Sequence, residues 1–116
     1  MKKLILILIL FSFNFFSFSQ TDSTNRVYSF PDNATFNLVL THLKKAKKFY
    51  KNNKYQKAID EFTEALNLAP YETGALLNRG EMYLKIGKKD EACKDWYKIQ
   101  ELNQIQADEL IKYYCN

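Results

Sequence analysis

The sequence predicts an all-α protein, a short solenoid of two helix-turn-helix repeats closed by a C-terminal capping helix. First, the segment at residues 53–70 returns in a variant form 34 residues later. Second, apolar residues recur in each copy at steps of three and four, as in Ala58, Phe62 and Ala65, which indicates amphipathic helices. Third, another segment with helical spacing, at residues 103–116, follows the second copy.

The two copies agree in the size of their residues. Ala46 falls on Gly80, and Phe62 falls on Trp96. The other matches are Phe49 with Tyr83, Asn53 with Gly87, Ala58 with Ala92, Ala65 with Ile99, and Leu68 with Leu102. Small residues mostly match small ones and aromatic residues match aromatic ones, as expected when the same close-packed contact is rebuilt in each unit.

This pattern resembles the tetratricopeptide repeat (TPR) family, whose units are antiparallel helix pairs of this period. The first repeat would span residues 39–72, with Pro70 at the position of the family's closing proline, and the second would span residues 73–106. The family's packing positions would be filled by Ala46, Phe49, Ala58, Phe62 and Ala65 in the first repeat, and by Leu76, Gly80, Tyr83, Ala92 and Trp96 in the second.

The chain departs from the family pattern at three positions. His42 stands where a large apolar residue is usual, and Ile99 replaces a small residue. Gln104 occupies the place of a second closing proline. The first two changes alter packing details, and the third predicts that the array ends there.

Residues 1–19 have the features of a secretory signal peptide. Two lysines precede an apolar run at residues 4–11, and small residues lead to a predicted cleavage between Ser19 and Gln20. The alternative is an uncleaved membrane anchor, but Asn14 and several serines interrupt the run short of the ~20 apolar residues that a spanning helix needs. We therefore expect an exported bacterial protein, periplasmic or secreted, without a stable membrane span after cleavage.

Cleavage lowers the charge of the chain. Removing Lys2 and Lys3 from 17 basic side chains leaves 15 against 13 acidic ones, so the formal net charge falls from +4 to +2. That excess does not predict binding to nucleic acid. The polar residues 20–33 are predicted to form a flexible lead-in, in which Val27, Tyr28 and Phe30 either pack as a strap or are disordered.

The helical domain should occupy residues 34–116, beginning with a helix at residues 34–52 that Asp32 or Asn33 caps. Apolar side chains cover more than one side of this helix: Phe36, Leu38, Val39, Leu40, Leu43, Ala46, Phe49 and Tyr50. A helix that is apolar on two sides must bury both. One side would face the core, and the other would face a groove, a partner or a second copy.

The same helix and the turn after it carry a run of lysines: Lys44, Lys45, Lys47, Lys48, Lys51, Lys54 and Lys57. This run is either a patch for an anionic partner or membrane surface, or a solvated face whose long side chains cover apolar neighbours. The second interpretation is favoured because Asp60, Glu61 and Glu64 follow on the next helix.

Asn53 and Gly87 occupy matching turns, where a left-handed backbone is expected. Gly80 is expected to allow a neighbouring helix to approach closely. A capping helix is predicted at about residues 104–115, with Ile105, Leu110, Ile111 and Tyr114 on its packed face.

The two cysteines are predicted to form a disulfide, because both lie in the mature part of an exported chain. If the chain turns back near Asn103, Cys93 lies opposite about residue 113, within reach of Cys115. A redox pair would need the closer Cys-x-x-Cys spacing. No metal site is expected, because the single histidine, His42, is far from both thiols in sequence.

The sequence contains no motif for catalysis. It has no nucleophile elbow, no glycine-rich phosphate loop and no paired-histidine helix motif. We therefore predict that the protein is not an enzyme and has no cofactor.

The TPR resemblance implies a protein- or peptide-binding scaffold acting in the bacterial envelope or outside the cell. Its concave groove would be lined by Leu40, Leu43, Lys47, Tyr50, Lys51, Gly74, Leu77, Asn78, Glu81, Leu84 and Lys85. Leu43 and Lys47 occupy positions where the family's carboxylate clamp has paired Lys and Asn, so an amphipathic helix or extended apolar peptide is the better expectation. The alternatives are a self-associating homodimeric module and a remnant of a longer repeat array.

Overall fold

The computed structural model describes residues 32–116, and these residues form five α-helices without a strand. The helices are α1 (Asn33–Lys51), α2 (Tyr55–Leu68), α3 (Thr73–Lys85), α4 (Lys89–Glu101) and α5 (Asp108–Tyr114). Each helix packs against the next one along the chain. This arrangement confirms the predicted fold class, a short helical repeat solenoid. The predicted signal peptide and the strap residues lie outside the described part of the chain.

Carboxylate side chains cap the first helix of each pair. Asp32 accepts a hydrogen bond of 2.6 Å from the amide of Thr35 at the start of α1. This backbone hydrogen bond lowers the pKa of Asp32, because it favours the charged carboxylate. Glu72 accepts a 3.1 Å hydrogen bond from the amide of Gly74 at the start of α3.

The turns that end the first helix of each pair match as predicted. Asn53 and Gly87 have φ angles of 59° and 80°, in the left-handed region that glycine and asparagine tolerate best. Asn103, with φ 57°, ends α4 in the same way, although the repeat pattern had not marked it.

The closest helix contact in the second pair is between Gly80 of α3 and Trp96 of α4. A Cβ atom added to Gly80 would overlap the indole ring, so only glycine leaves room for it. Trp96 is fully buried, and its Nε1 donates a 3.3 Å hydrogen bond to the carbonyl oxygen of Leu77. In the first pair the equivalent residues Ala46 and Phe62 are also buried in the core.

Helix α5 covers the outer side of α4. A disulfide joins Cys93 of α4 to Cys115, with their Cα atoms 5.7 Å apart, so this bond is present as predicted. The ring of Tyr114 lies 5.9 Å from that of Trp96, and Ile111 is buried. Ile105, which was predicted to join this face, is instead 78% exposed because it lies in the connection before the helix.

None of the helices within residues 32–116 has the length and apolar character needed to cross a bilayer.

Candidate functional site

A surface pocket of about 350 Å³ lies between α1 and α3. Its lining residues are Leu43, Lys47 and Tyr50 of α1, Phe62 of α2, and Glu72, Gly74 and Asn78 at the start of α3. Because α2 packs against both α1 and α3, the two outer helices form walls and Phe62 contributes to the floor. We call this pocket the α1–α3 groove.

The two walls of the α1–α3 groove differ in chemistry. Leu43 and Tyr50 give the α1 wall apolar surface, and both side chains also pack against the core, which holds them in place. The α3 wall is polar, and its two polar side chains form hydrogen bonds with the backbone of Gly74 in the first turn of the helix. Asn78 donates from Nδ2 to the carbonyl oxygen of Gly74 at 2.8 Å, and Glu72 accepts from the Gly74 amide. An apolar surface beside a few positioned polar groups is typical of a binding cleft.

Five of the groove residues named from the sequence line this pocket together: Leu43, Lys47, Tyr50, Gly74 and Asn78. The pocket lining does not include Leu40, Lys51, Leu77, Glu81, Leu84 or Lys85. Leu77 and Leu84 pack against the core, as Leu43 and Tyr50 also do. Peptide binding in this groove stays a prediction.

Phe62 and Glu72 line the α1–α3 groove although the sequence analysis had not assigned them to it. Phe62 had been given only a packing role between helices. Its large ring reaches past the helix contact into the pocket floor while remaining buried. Glu72 precedes α3, and its capping position was the signal that could have placed it at the pocket edge.

A buried ion pair ties together three helices beside the core. Arg79 of α3 donates from Nε and Nη2 to the two carboxylate oxygens of Asp95 on α4, at 2.8 and 2.6 Å. Its Nη1 donates to Thr63 Oγ1 of α2 at 3.1 Å. The hydrogen bond with Asp95 raises the pKa of Arg79 against the opposing effect of burial. With its donors occupied in this way, the guanidinium serves as a structural link between the pairs.

A second polar pair joins α1 to α2. His42 Nδ1 and Glu61 Oε2 are 2.7 Å apart, and both side chains are mostly buried. Glu61, one of the acidic residues expected to offset the lysines, is instead partly buried beside His42. Within residues 32–116, no group of three or more histidine, cysteine, aspartate or glutamate side chains is placed to hold a metal ion.

Comparison with known proteins finds partial similarity. No protein-family model matches the chain. The chain is 38% identical over 55 residues to outer dynein arm-docking complex subunit 4 of Xenopus laevis, covering 47% of this chain and 10% of that protein. It is 37% identical over 59 residues to Hsp70-Hsp90 organizing protein 2 of Arabidopsis thaliana, covering 51% of this chain and 10% of that protein. The chain thus spans about a tenth of the length of each relative.

These similarities and the paired helices are consistent with a TPR-like family. The names of both relatives describe docking and organizing proteins.

Proposed function

We propose that this protein is a non-catalytic scaffold that binds a peptide segment of a partner protein in the α1–α3 groove. The observation that carries the proposal is the pocket of about 350 Å³, with an apolar wall and floor and a polar wall. The docking and organizing roles named for the two relatives support a protein partner in general.

The proposed ligand is an extended or helical peptide with an apolar anchor. Its apolar side chain would contact Leu43, Tyr50 and Phe62, which provide apolar surface in the groove. Asn78 uses one amide donor within the described residues, so its second N–H and its Oδ1 can bind the peptide backbone. Lys47 is exposed at the rim and would favour a ligand with an acidic residue beside the anchor.

We further propose that the protein acts after export, in the envelope or outside the cell. The basic and apolar start of the sequence and the Cys93–Cys115 disulfide support this setting. The test is amino-terminal sequencing of the protein recovered from its own cells. A chain beginning at Gln20 supports export, and an intact Met1 terminus contradicts cleavage.

The groove is tested by filling it. In Asn78→Arg, the larger charged side chain should occupy the pocket without entering the core, because Asn78 bonds only the exposed end of its own helix. The matched control is Asn67→Arg, the same substitution at an exposed position of α2 outside the groove. Peptides selected from a random library on the unmodified protein would then be measured against both variants by fluorescence anisotropy.

We expect the selected peptides to lose at least tenfold in affinity for Asn78→Arg and to bind Asn67→Arg as they bind the unmodified protein. Thermal unfolding followed by circular dichroism verifies that both variants remain folded. Equal binding to all three proteins, or a library that yields no binder, would overturn the proposal.

A second candidate function is self-association through α1. Leu38 and Leu40 are 46% and 36% exposed on this first helix, and a second copy could bury them. Sedimentation velocity across a hundredfold range of concentration tests it. A protein that stays monomeric throughout is not a self-associating module, and a dimer that Leu38→Ser with Leu40→Ser disrupts would support this function instead of peptide binding.

A further inference from the structure

Helix α1 and the turn that follows it carry positive charge without any acidic neighbour in sequence. Residues 33–59 contain seven lysines and no aspartate or glutamate. The seven are Lys44, Lys45, Lys47, Lys48, Lys51, Lys54 and Lys57, and all of them are exposed. The helix dipole favours lysines in the last turn, which accounts for Lys48 and Lys51 but not for the others.

The structure does not neutralise this charge from the next helix. The two ion pairs among residues 32–116 are His42 with Glu61 and Arg79 with Asp95, so neither contains a lysine. Asp60 accepts a hydrogen bond from Gln56 on its own helix. Within residues 32–116, no carboxylate of α2 therefore forms an ion pair with a lysine of α1. The solvated-face interpretation had been favoured because such carboxylates follow on α2.

Three of these lysines lie on the side of α1 opposite its buried residue Ala46. Ala46 is completely buried and marks the inward side. Successive residues advance by about 100° around a helix, so Lys44, Lys48 and Lys51 lie about 140° to 160° from Ala46. We call these three residues the outward lysine face. Lys47 is not part of it, because it lines the groove.

We infer that the outward lysine face docks the protein on the surface of an anionic lipid membrane. The face is the convex outer side of a helix, which fits a broad surface better than it fits a peptide that needs a cleft. It contains lysines only, whose mobile point charges suit a diffuse field of lipid headgroups, whereas recognition of individual carboxylates favours the planar fork of arginine. Juxtaposed lysines near an anionic bilayer add to one another in this way.

One exposed apolar side chain earlier on α1 complements the charge. Leu40 lies one turn before Lys44 and about 40° around the helix from it, so it can enter the headgroup region once the lysines hold the helix at the surface. This docking is independent of the α1–α3 groove, which opens on another side of α1. A scaffold held on a membrane in this way would present its groove to partners at the same surface.

The test measures binding of the full chain to lipid vesicles by co-sedimentation. Vesicles of phosphatidylcholine and phosphatidylglycerol in a 70:30 ratio are compared with vesicles of phosphatidylcholine alone. The ratio of the two partition coefficients isolates the electrostatic part, since any apolar contribution of residues 1–31 is present with both vesicles. The test variant carries Lys44→Gln, Lys48→Gln and Lys51→Gln, which remove charge and keep helix propensity.

The matched control carries Lys88→Gln, Lys89→Gln and Lys94→Gln, three exposed lysines of the α4 region that lie on either side of Asp90 and Glu91 in the sequence. We expect the outward-face variant to lose about 100-fold in the anionic-to-neutral ratio at low salt, and the control to lose less than about fivefold. Added salt should weaken binding of the unmodified protein to the anionic vesicles.

Three results would overturn the inference. The first is a partition coefficient for the unmodified protein that is the same for both kinds of vesicle. The second is an equal loss in the control variant, which would mean that only net charge matters. The third is binding of an acidic peptide, polyglutamate, that depends on the outward lysine face while the anionic vesicles are not bound. Circular dichroism of each variant verifies that α1 has formed.

Discussion

The first helix pair, α1 with α2, and the second, α3 with α4, follow one plan but are held together differently. Glu61 and Asp95 occupy equivalent positions, 34 residues apart, and each binds a basic residue from the preceding helix. In the first pair this residue is His42, and the Glu61 side chain keeps 22% exposure. In the second it is Arg79, and the Asp95 side chain keeps only 7%.

The second pair has one restraint of its own, the disulfide that holds α5 against α4. Arg79 also reaches Thr63 on α2, so this bond joins the two pairs. The first pair contains no cysteine, and its outer helix α1 carries residues on which both functional proposals depend. The comparison indicates that the second pair contributes more to stability, whereas the first pair carries the surface residues proposed to bind.

The largest effect is expected from removing the buried cation of the second pair. Arg79→Ala leaves the Asp95 carboxylate buried without a partner, and such a loss costs about 3 to 5 kcal/mol of unfolding free energy. His42→Ala, in the first pair, removes one hydrogen bond to a more exposed carboxylate and should cost about 1 kcal/mol. Urea unfolding followed by circular dichroism at neutral pH measures both values.

A double variant separates charge from packing at this site. Arg79→Met with Asp95→Leu replaces the ion pair by apolar side chains of similar volume, and it should cost much less than Arg79→Ala alone. If Arg79→Ala lowers the unfolding free energy no more than His42→Ala does, the two polar links stabilise their helix pairs equally. The proposed difference between the pairs is then wrong.

The next largest effect is expected from the disulfide. Replacing Cys93 and Cys115 by alanine opens a loop with a sequence separation of 22 residues, which should cost about 3 kcal/mol in the chain-entropy description. A reducing agent should destabilise the unmodified protein by the same amount and leave the double variant unchanged.

Hydrogen exchange shows where this loss falls. Amides of α5 should exchange faster in the double variant than in the unmodified protein, because seven residues do not form a stable helix alone. Amides of α2 should change only with global stability. Equal acceleration in α2 and α5 would mean that the disulfide does not act on the second pair in particular.

Much of the fold was predictable from the sequence because helix pairs produce regular spacings of residues along the chain. The 34-residue repeat matched Asn53 to Gly87 and Ala46 to Gly80, and both matches correspond to real turns and close contacts. The disulfide followed from the even number of cysteines and the expected reversal near Asn103. These features depend on spacing along the chain, which a sequence shows directly.

The polar links and the groove were less predictable because they depend on how helices from different repeats face one another. The sequence did not predict the bond between Arg79 and Asp95, although Asp95 lies 34 residues after Glu61, at the equivalent position of the repeat. Leu77 and Leu84 were assigned to the groove from family positions, and both pack against the core without lining the α1–α3 groove. The repeat pattern places residues along each helix, but it does not show which of them border a pocket formed between two repeats.

A smaller effect than those of Arg79 and the disulfide is expected at the contact between Gly80 and Trp96. Gly80→Ala places a Cβ against the indole and should destabilise the protein by about 2 kcal/mol, even though alanine favours a helix. Trp96→Phe recreates the smaller ring that the first pair has at Phe62. In that background, Gly80→Ala should become neutral or stabilising, because the overlap is removed and the helix preference for alanine remains.

This change of sign is measured by a double-mutant cycle of thermal and urea unfolding. The coupling between the two substitutions should be at least about 1 kcal/mol, since the three nearest atoms to the added Cβ all belong to Trp96. Ala46→Gly serves as the reciprocal test in the first pair, where the smaller residue should only destabilise. Gly80→Ala could instead lower the unfolding free energy by the same amount with tryptophan or phenylalanine at position 96. The small residue at position 80 would then not compensate for the large ring at position 96, and the two pairs would be alike only in their backbone.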